Sequence, residues 1–159
     1  MKFTITTDFP HPFLLKKTGA CLSLYLPTHR YFTDESKDVI IYTQLVKEAL
    51  SSLAKLPDTS RFKDLEKILF DLASNHDFLL NQKDGMALFA TDDTIIIYQA
   101  QTHFQPFTVI ADSFHIKPLF SYFQHQEQFH LLALEAEKFE LYQGNIHHLE
   151  SLAFPFDSN

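Results

Sequence analysis

Residues 86–98 read MALFATDDTIIIY, and this stretch decides the fold. Two apolar runs, 86–90 and 94–98, flank Thr91-Asp92-Asp93. Small polar residues of this kind let a chain reverse tightly, so the stretch predicts a β-hairpin. Ile95, Ile96 and Ile97 follow one another, and successive side chains on a strand point to opposite faces. The second strand is therefore apolar on both sides, which predicts a sheet covered by helices on both faces.

Upstream, residues 21–26 (CLSLYL) form a second strand, stopped by Pro27. Leu22, Leu24 and Leu26 share the face expected toward the core, and Cys21, Ser23 and Tyr25 share the other. A short helix is expected after Pro12. Between that strand and the hairpin, the apolar period changes from two to about 3.6. Residues 33–56 predict a helix with Tyr42, Leu45, Val46, Ala49, Leu50 and Leu53 on its buried stripe. Thr33 or Asp34 is its expected cap, and Pro57 ends it. A second helix is expected over 60–74, burying Phe62, Leu65, Ile68, Leu69 and Leu72. Residues 77–80 add a turn.

Downstream, 107–111 is a strand and 114–124 a helix with Pro118 in its first turn. Asp112 or Ser113 is the expected cap of that helix. Residues 129–134 and 139–142 form a second hairpin, and 146–152 one more strand. The order of elements gives an α+β class: a mixed, largely antiparallel sheet packed by helices. The chain of 159 residues is expected to be one domain with one core.

Composition narrows the function classes. The chain carries a formal charge of −7 with both signs interspersed. Such a surface repels phosphate, so free nucleic acid is a poor partner, whereas a mixed ribonucleoprotein surface is open to it. The single cysteine, Cys21, rules out an internal disulfide. It points to a reducing compartment, and the cytoplasm is the expected location. The first residues, MKFTITTDFPHP, lack the apolar run of a signal peptide. No membrane segment is expected.

The motif search excludes more than it supplies. GxSxG, GxxxxGK[ST], GxGxxG, HExxH and CxxC are all absent. Asp112, Ser113 and His115 collect triad residue types within four positions. A working triad draws on distant segments that converge in space, and these neighbours read more simply as a helix cap. The nine histidines show no i, i+4 pair of the kind zinc sites use, so no metal and no cofactor are expected. Asp92/Asp93 and Glu135/Glu137 sit at hairpin tips, where solvated acids are ordinary. Thr28, His29 and Arg30 follow a strand end, a common place for binding residues and also for a plain solvated turn. Lys117, at a helix start, either holds an anion or points into water.

Four segments in order carry a family resemblance: CLSLYLPTHR (21–30), leading to an acidic helix start; KDGMALFATDD (83–93); SFHIKPLF (113–120); and FHLLALEAEKFELYQGN (129–145). Together they resemble the N-terminal domain of the bacterial relatives of archaeo-eukaryotic peptide-chain release factors. The resemblance implies an α/β-type first domain of a multidomain protein. It also implies the ribosome or translation factors as partners. Thr28, His29, Arg30, His115 and Lys117 are then the candidate contacts. The pattern also departs from the family. The stop-codon-reading Asn-Ile-Lys-Ser loop is absent, and His115-Ile116-Lys117-Pro118 does not replace it. No two glycines are adjacent, so the Gly-Gly-Gln loop of peptide release is absent too. Peptidyl-tRNA hydrolysis is not expected of this chain. Residues 146–159 either open a following domain or end this one.

Two other readings stay open. One is a small metal-dependent or hydrolytic enzyme with a site near Asp112, Ser113 and His115. The other is a protein-interaction or self-association domain, motivated by the apolar run Leu152-Ala153-Phe154-Pro155-Phe156.

Overall fold

The computed structural model describes residues 1–15, 17–29, 35–80, 82–124, 129–134, 139–145 and 148–152. It divides into two compact units, Met1–Phe120 and Ser121–Asn159. Among the described residues it is a mixed α+β structure, with a five-stranded mixed sheet, a three-stranded antiparallel sheet and four α-helices.

The first unit is built on the strands β1 (Lys2–Thr6), β2 (Lys17–Pro27), β3 (Gly85–Ala90), β4 (Thr94–Ala100) and β5 (Phe107–Ser113), in the order β1-β4-β3-β2-β5. The β3–β4 hairpin pairs Leu88 with Ile97 and Ala90 with Ile95. Its turn closes through Thr91 N–H on the Thr94 carbonyl at 2.9 Å and Thr91 Oγ1 on Asp93 Oδ1 at 2.7 Å. β2 runs antiparallel to both β3 and β5. The edge strand β1 lies parallel to β4, pairing Phe3 with Ile95 and Ile5 with Ile97.

Alternation sorts the sheet into two apolar layers. Leu22, Leu24, Leu26, Met86, Leu88, Ile95 and Ile97 face a core closed by α1 (Glu35–Leu53) and α2 (Lys63–Ser74). Tyr42, Leu45, Val46, Ala49 and Leu53 of α1 join Leu65, Leu69 and Leu72 of α2 in that core. Phe62, in a 3-10 turn over Ser60–Phe62, completes it. The buried Tyr42 hydroxyl donates to the Leu69 carbonyl at 3.1 Å and ties the two helices together. A short helix, α3 (His76–Leu80), leads back toward the sheet.

The opposite face carries aromatic residues. Tyr25, Phe89 and Tyr98 are buried there, with Phe89 edge-on to Tyr25 at 5.8 Å and to Tyr98 at 6.1 Å. Edge-to-face contacts of this kind add to plain area burial. Phe13, from a 3-10 turn over Pro12–Leu15, and Phe114 cover this layer, with Phe114 5.6 Å from Phe89. The two long helices thus lie on one face only. The other is closed by short segments and by the start of α4 (Lys117–Gln124), whose Leu119 is fully buried.

One expectation is corrected. Asp112 and Ser113 do not cap α4. They end β5, which stays in register with β2 up to a Ser113–Lys17 pair across a bulge, and α4 begins four residues later. The expected caps Thr33 and Asp34 lie outside the described residues.

The second unit holds β6 (Phe129–Leu134), β7 (Phe139–Asn145) and β8 (His148–Leu152) in that order, all antiparallel. Every residue of β6 is exposed. No helix among the described residues is long and apolar enough to cross a membrane.

Candidate functional site

The end of β2 is held tightly. Thr28 is buried, its N–H donates to the Asp84 carbonyl at 3.1 Å, and its hydroxyl donates to the Lys83 carbonyl at 2.9 Å. Both polar groups are spent on the backbone leading into β3, so Thr28 anchors the site and offers nothing to a ligand.

His29 leaves this anchor and meets Asp38 of α1. Its backbone N–H donates to Asp38 Oδ2 at 2.8 Å, and its ring Nδ1 lies 2.7 Å from Oδ1. The Asp38 side chain is 2 % exposed and the His29 ring 35 %. A buried carboxylate must be hydrogen-bonded, and His29 supplies both bonds. An ionised carboxylate only accepts, so in this pair Nδ1 is the donor and Nε2 is the ring nitrogen that Asp38 does not engage. Asp38 stands at the fourth position of α1, close to the end where the helix dipole favours negative charge.

A second imidazole stands beside the first. The rings of His29 and His103 have centroids 5.9 Å apart and planes 40° from each other. His103 is exposed and belongs to the link between β4 and β5, and both its neighbours are pinned. A Cβ on Gly85 would lie 2.2 Å from the Thr102 carbonyl oxygen and 2.9 Å from Phe104 Cδ2, so only glycine lets the link approach β3 this closely. Phe104 is buried against Tyr25 at 5.1 Å. The placement of His103 therefore follows from a missing side chain on one side and an aromatic anchor on the other.

His115 and Lys117 are elsewhere. The His115 backbone is stitched across the aromatic face: its N–H donates to Ser23 Oγ at 2.9 Å, and its carbonyl accepts the Tyr25 hydroxyl at 2.6 Å. Its ring lies edge-on to Phe107 at 5.0 Å. Burial pushes the Tyr25 phenol well above its ordinary range, so it stays a neutral donor to that carbonyl. Lys117 is exposed at the first position of α4. No hydrogen bond, ion pair or ring contact joins either residue to His29. Arg30 lies outside the described residues. Asp112 and Ser113 are exposed, and no side-chain hydrogen bond links them to each other or to His115.

Three parts of the His29 site escaped the sequence reading. The sequence singles out none of Asp38, Gly85 and His103. No local spacing links positions 29, 38, 85 and 103. Among the described residues no group of three His, Cys, Asp or Glu side chains is arranged to hold a metal. An open cleft lined by Asp71, Ser74, Asn75 and Asp77 lies where α2 meets α3, far in sequence from His29 and His103.

No family model and no curated protein matches the chain. Solved structures do resemble it. One, titled only as an archaeal protein, is 16 % identical with a TM-score of 0.47, over 87 % of this chain and 41 % of that one. Another is the crystal structure of an archaeal translation termination factor, aRF1, at 14 % identity and a TM-score of 0.46, over 88 % of this chain and 40 % of that one. The chain spans about two fifths of the length of these structures.

Proposed function

We propose that the chain is a non-catalytic, release-factor-like N-terminal domain that docks on the translation machinery through the His29 end of its first sheet. The observation that carries this reading is the pair of imidazoles brought side by side at one end of the sheet. The His29 ring is fixed by a buried carboxylate, and His103 is carried on a link whose neighbouring residues, Thr102 and Phe104, are packed against Gly85 and Tyr25. Preorganised side chains bind without the ordering cost that loose ones incur.

The ordered resemblance of residues 21–30, 83–93, 113–120 and 129–145 supplies the partner class. The pinned residues Thr28 and Gly85 fall within the first two of those segments. With a formal charge of −7, a bare RNA backbone repels this chain, so the partner face is one to which protein contributes. Among the described residues neither imidazole is hydrogen-bonded to a nucleophile, and Thr28 Oγ1 is committed to a carbonyl. That favours binding over bond cleavage.

Co-sedimentation with ribosomes at moderate salt tests the reading. The chain is expected in the ribosomal pellet, with affinity falling roughly tenfold in His29→Ala and in His103→Ala, the loss of about 1.4 kcal/mol. Absence of the wild-type chain from the pellet overturns the reading, as does undiminished binding by both variants.

A second reading has its own observation. Among the described residues β6 is the edge of its sheet, all six of its residues are exposed, and none is an aspartate, glutamate, lysine or arginine. Such an edge is a template for another strand. Light scattering at rising concentration separates the two: a reversible dimer supports self-association, and a monomer throughout removes it.

A further inference from the structure

We propose that His29 and His103 together bind one divalent transition-metal ion of the zinc class, each through one ring nitrogen. The proposal stands on geometry alone and is independent of the docking reading.

The hydrogen bond behind His29 is the first argument. A metal-bound histidine typically donates its other ring N–H to a carboxylate, which fixes the tautomer and raises the basicity of the ligating nitrogen. Nδ1 of His29 lies 2.7 Å from Oδ1 of the buried Asp38, which leaves Nε2 as the ring nitrogen open to a metal. A solvated surface histidine has no such support.

The spacing of the rings is the second. Zinc–nitrogen bonds run at about 2.0–2.1 Å, and tetrahedral angles then place two ligating imidazoles with ring centres about 5 Å apart, rising to about 6 Å as the angle opens. The observed separation is 5.9 Å.

The third argument is rigidity. Metal sites need ligands held by their surroundings. Asp38 holds one ring from α1, and the neighbours of the other are held by Gly85 and Tyr25 from β3 and β2. The supports come from a helix and from the sheet, so the spacing does not depend on one loop.

The site supplies two protein ligands. The other coordination positions face solvent, since His29 is part-exposed and His103 exposed. They are left to water or to a carboxylate or phosphate oxygen of a bound partner, as in open zinc sites. Imidazole selects zinc, copper or nickel over magnesium and calcium, which take oxygen.

Calorimetric titration of the full chain with Zn2+ tests the proposal, with Mg2+ as a competitor. One zinc per chain is expected, with affinity falling at least tenfold in His103→Ala and in His29→Ala, and roughly tenfold to a hundredfold in Asp38→Asn. Circular dichroism checks that the variants fold. If Asp38→Asn does not, His103→Ala carries the test, because that side chain is exposed. The double variant His29→Ala/His103→Ala gives the background from the remaining histidines. Zinc affinity unchanged in His103→Ala overturns the proposal. So does a wild-type chain that binds no more than the double variant, or one from which Mg2+ displaces zinc.

Discussion

β3 and β6 are each six residues long and similarly apolar, GMALFA and FHLLAL. All six residues of β3 are buried and all six of β6 are exposed. Composition does not separate them; position in a sheet does. β3 is central, paired on both sides, with the helix pair over one face and the aromatic layer over the other. Among the described residues β6 is an edge with a single paired neighbour, β7. The contrast shows that an apolar run states a need for cover and does not say where the cover comes from.

Matched truncations are the strongest way to break that contrast. Leu88→Ala in β3 is expected to cost about 3 kcal/mol, because a fully buried leucine loses its transfer energy and leaves a cavity. Leu132→Ala in β6, where Leu132 is 52 % exposed, is expected to stay within about 0.5 kcal/mol. Urea denaturation of both variants checks this. Equal losses would mean that β6 is covered in solution.

Gly85→Ala sharpens the account of β3 by adding atoms where Leu88→Ala removes them. Its Cβ would collide with the Thr102 carbonyl. Overpacking against backbone predicts a loss of about 2–3 kcal/mol in the same urea experiment. Wild-type stability would show that the 101–106 link yields freely, and that His103 is not held.

The tyrosines give a smaller effect with a defined pH signature. Tyr42→Phe removes one buried hydrogen bond, so about 1 kcal/mol is expected at neutral pH. Burial raises the Tyr25 and Tyr42 phenols, and it pushes Tyr98 up to about 12. Below about pH 10 a phenol is neutral in both folded and unfolded chains and contributes no pH dependence. Above that value the unfolded chain ionises first, so the stability due to these phenols is lost as pH climbs from about 10 through 12. Urea midpoints measured from pH 8 to 11.5 should show that decline, less steep in Tyr42→Phe. An identical alkaline slope in the variant would count against burial of this phenol.

The smallest effect belongs to the surface. Arg61 Nε lies 3.0 Å from Asp92 Oδ2 at the tip of the β3–β4 hairpin, with both side chains more than a third exposed. Arg61→Ala is expected to cost less than about 0.5 kcal/mol, since exposed ion pairs are screened. A loss above 1 kcal/mol would assign structural weight to the stacking of Arg61 on Phe62, 5.0 Å away.

The elements legible in the sequence were those whose signal is local. The stripe from Tyr42 to Leu53 and the Ile95–Ile97 triplet each announce their own element through a period. β1 was missed because its partner lies over ninety positions away, at Thr94 to Tyr98, and five residues of alternating polarity at a chain start look like a tail. The misplaced start of α4 has the same origin: Asp112 and Ser113 look like caps, but their backbone is claimed by β2. At the candidate site, His29 was visible as a residue after a strand. The residues that make it more than that, Asp38, Gly85 and His103, are joined to it only by the folded sheet.

Cys21 is the chain's single thiol, and it is fully enclosed in β2, with its sulfur 3.7 Å from the Asp112 carbonyl oxygen. An alkylating reagent reaches it only when the strand parts from its neighbours. Its labelling rate in native buffer is therefore a clock for how often the central sheet opens, ticking without any added dye or engineered probe.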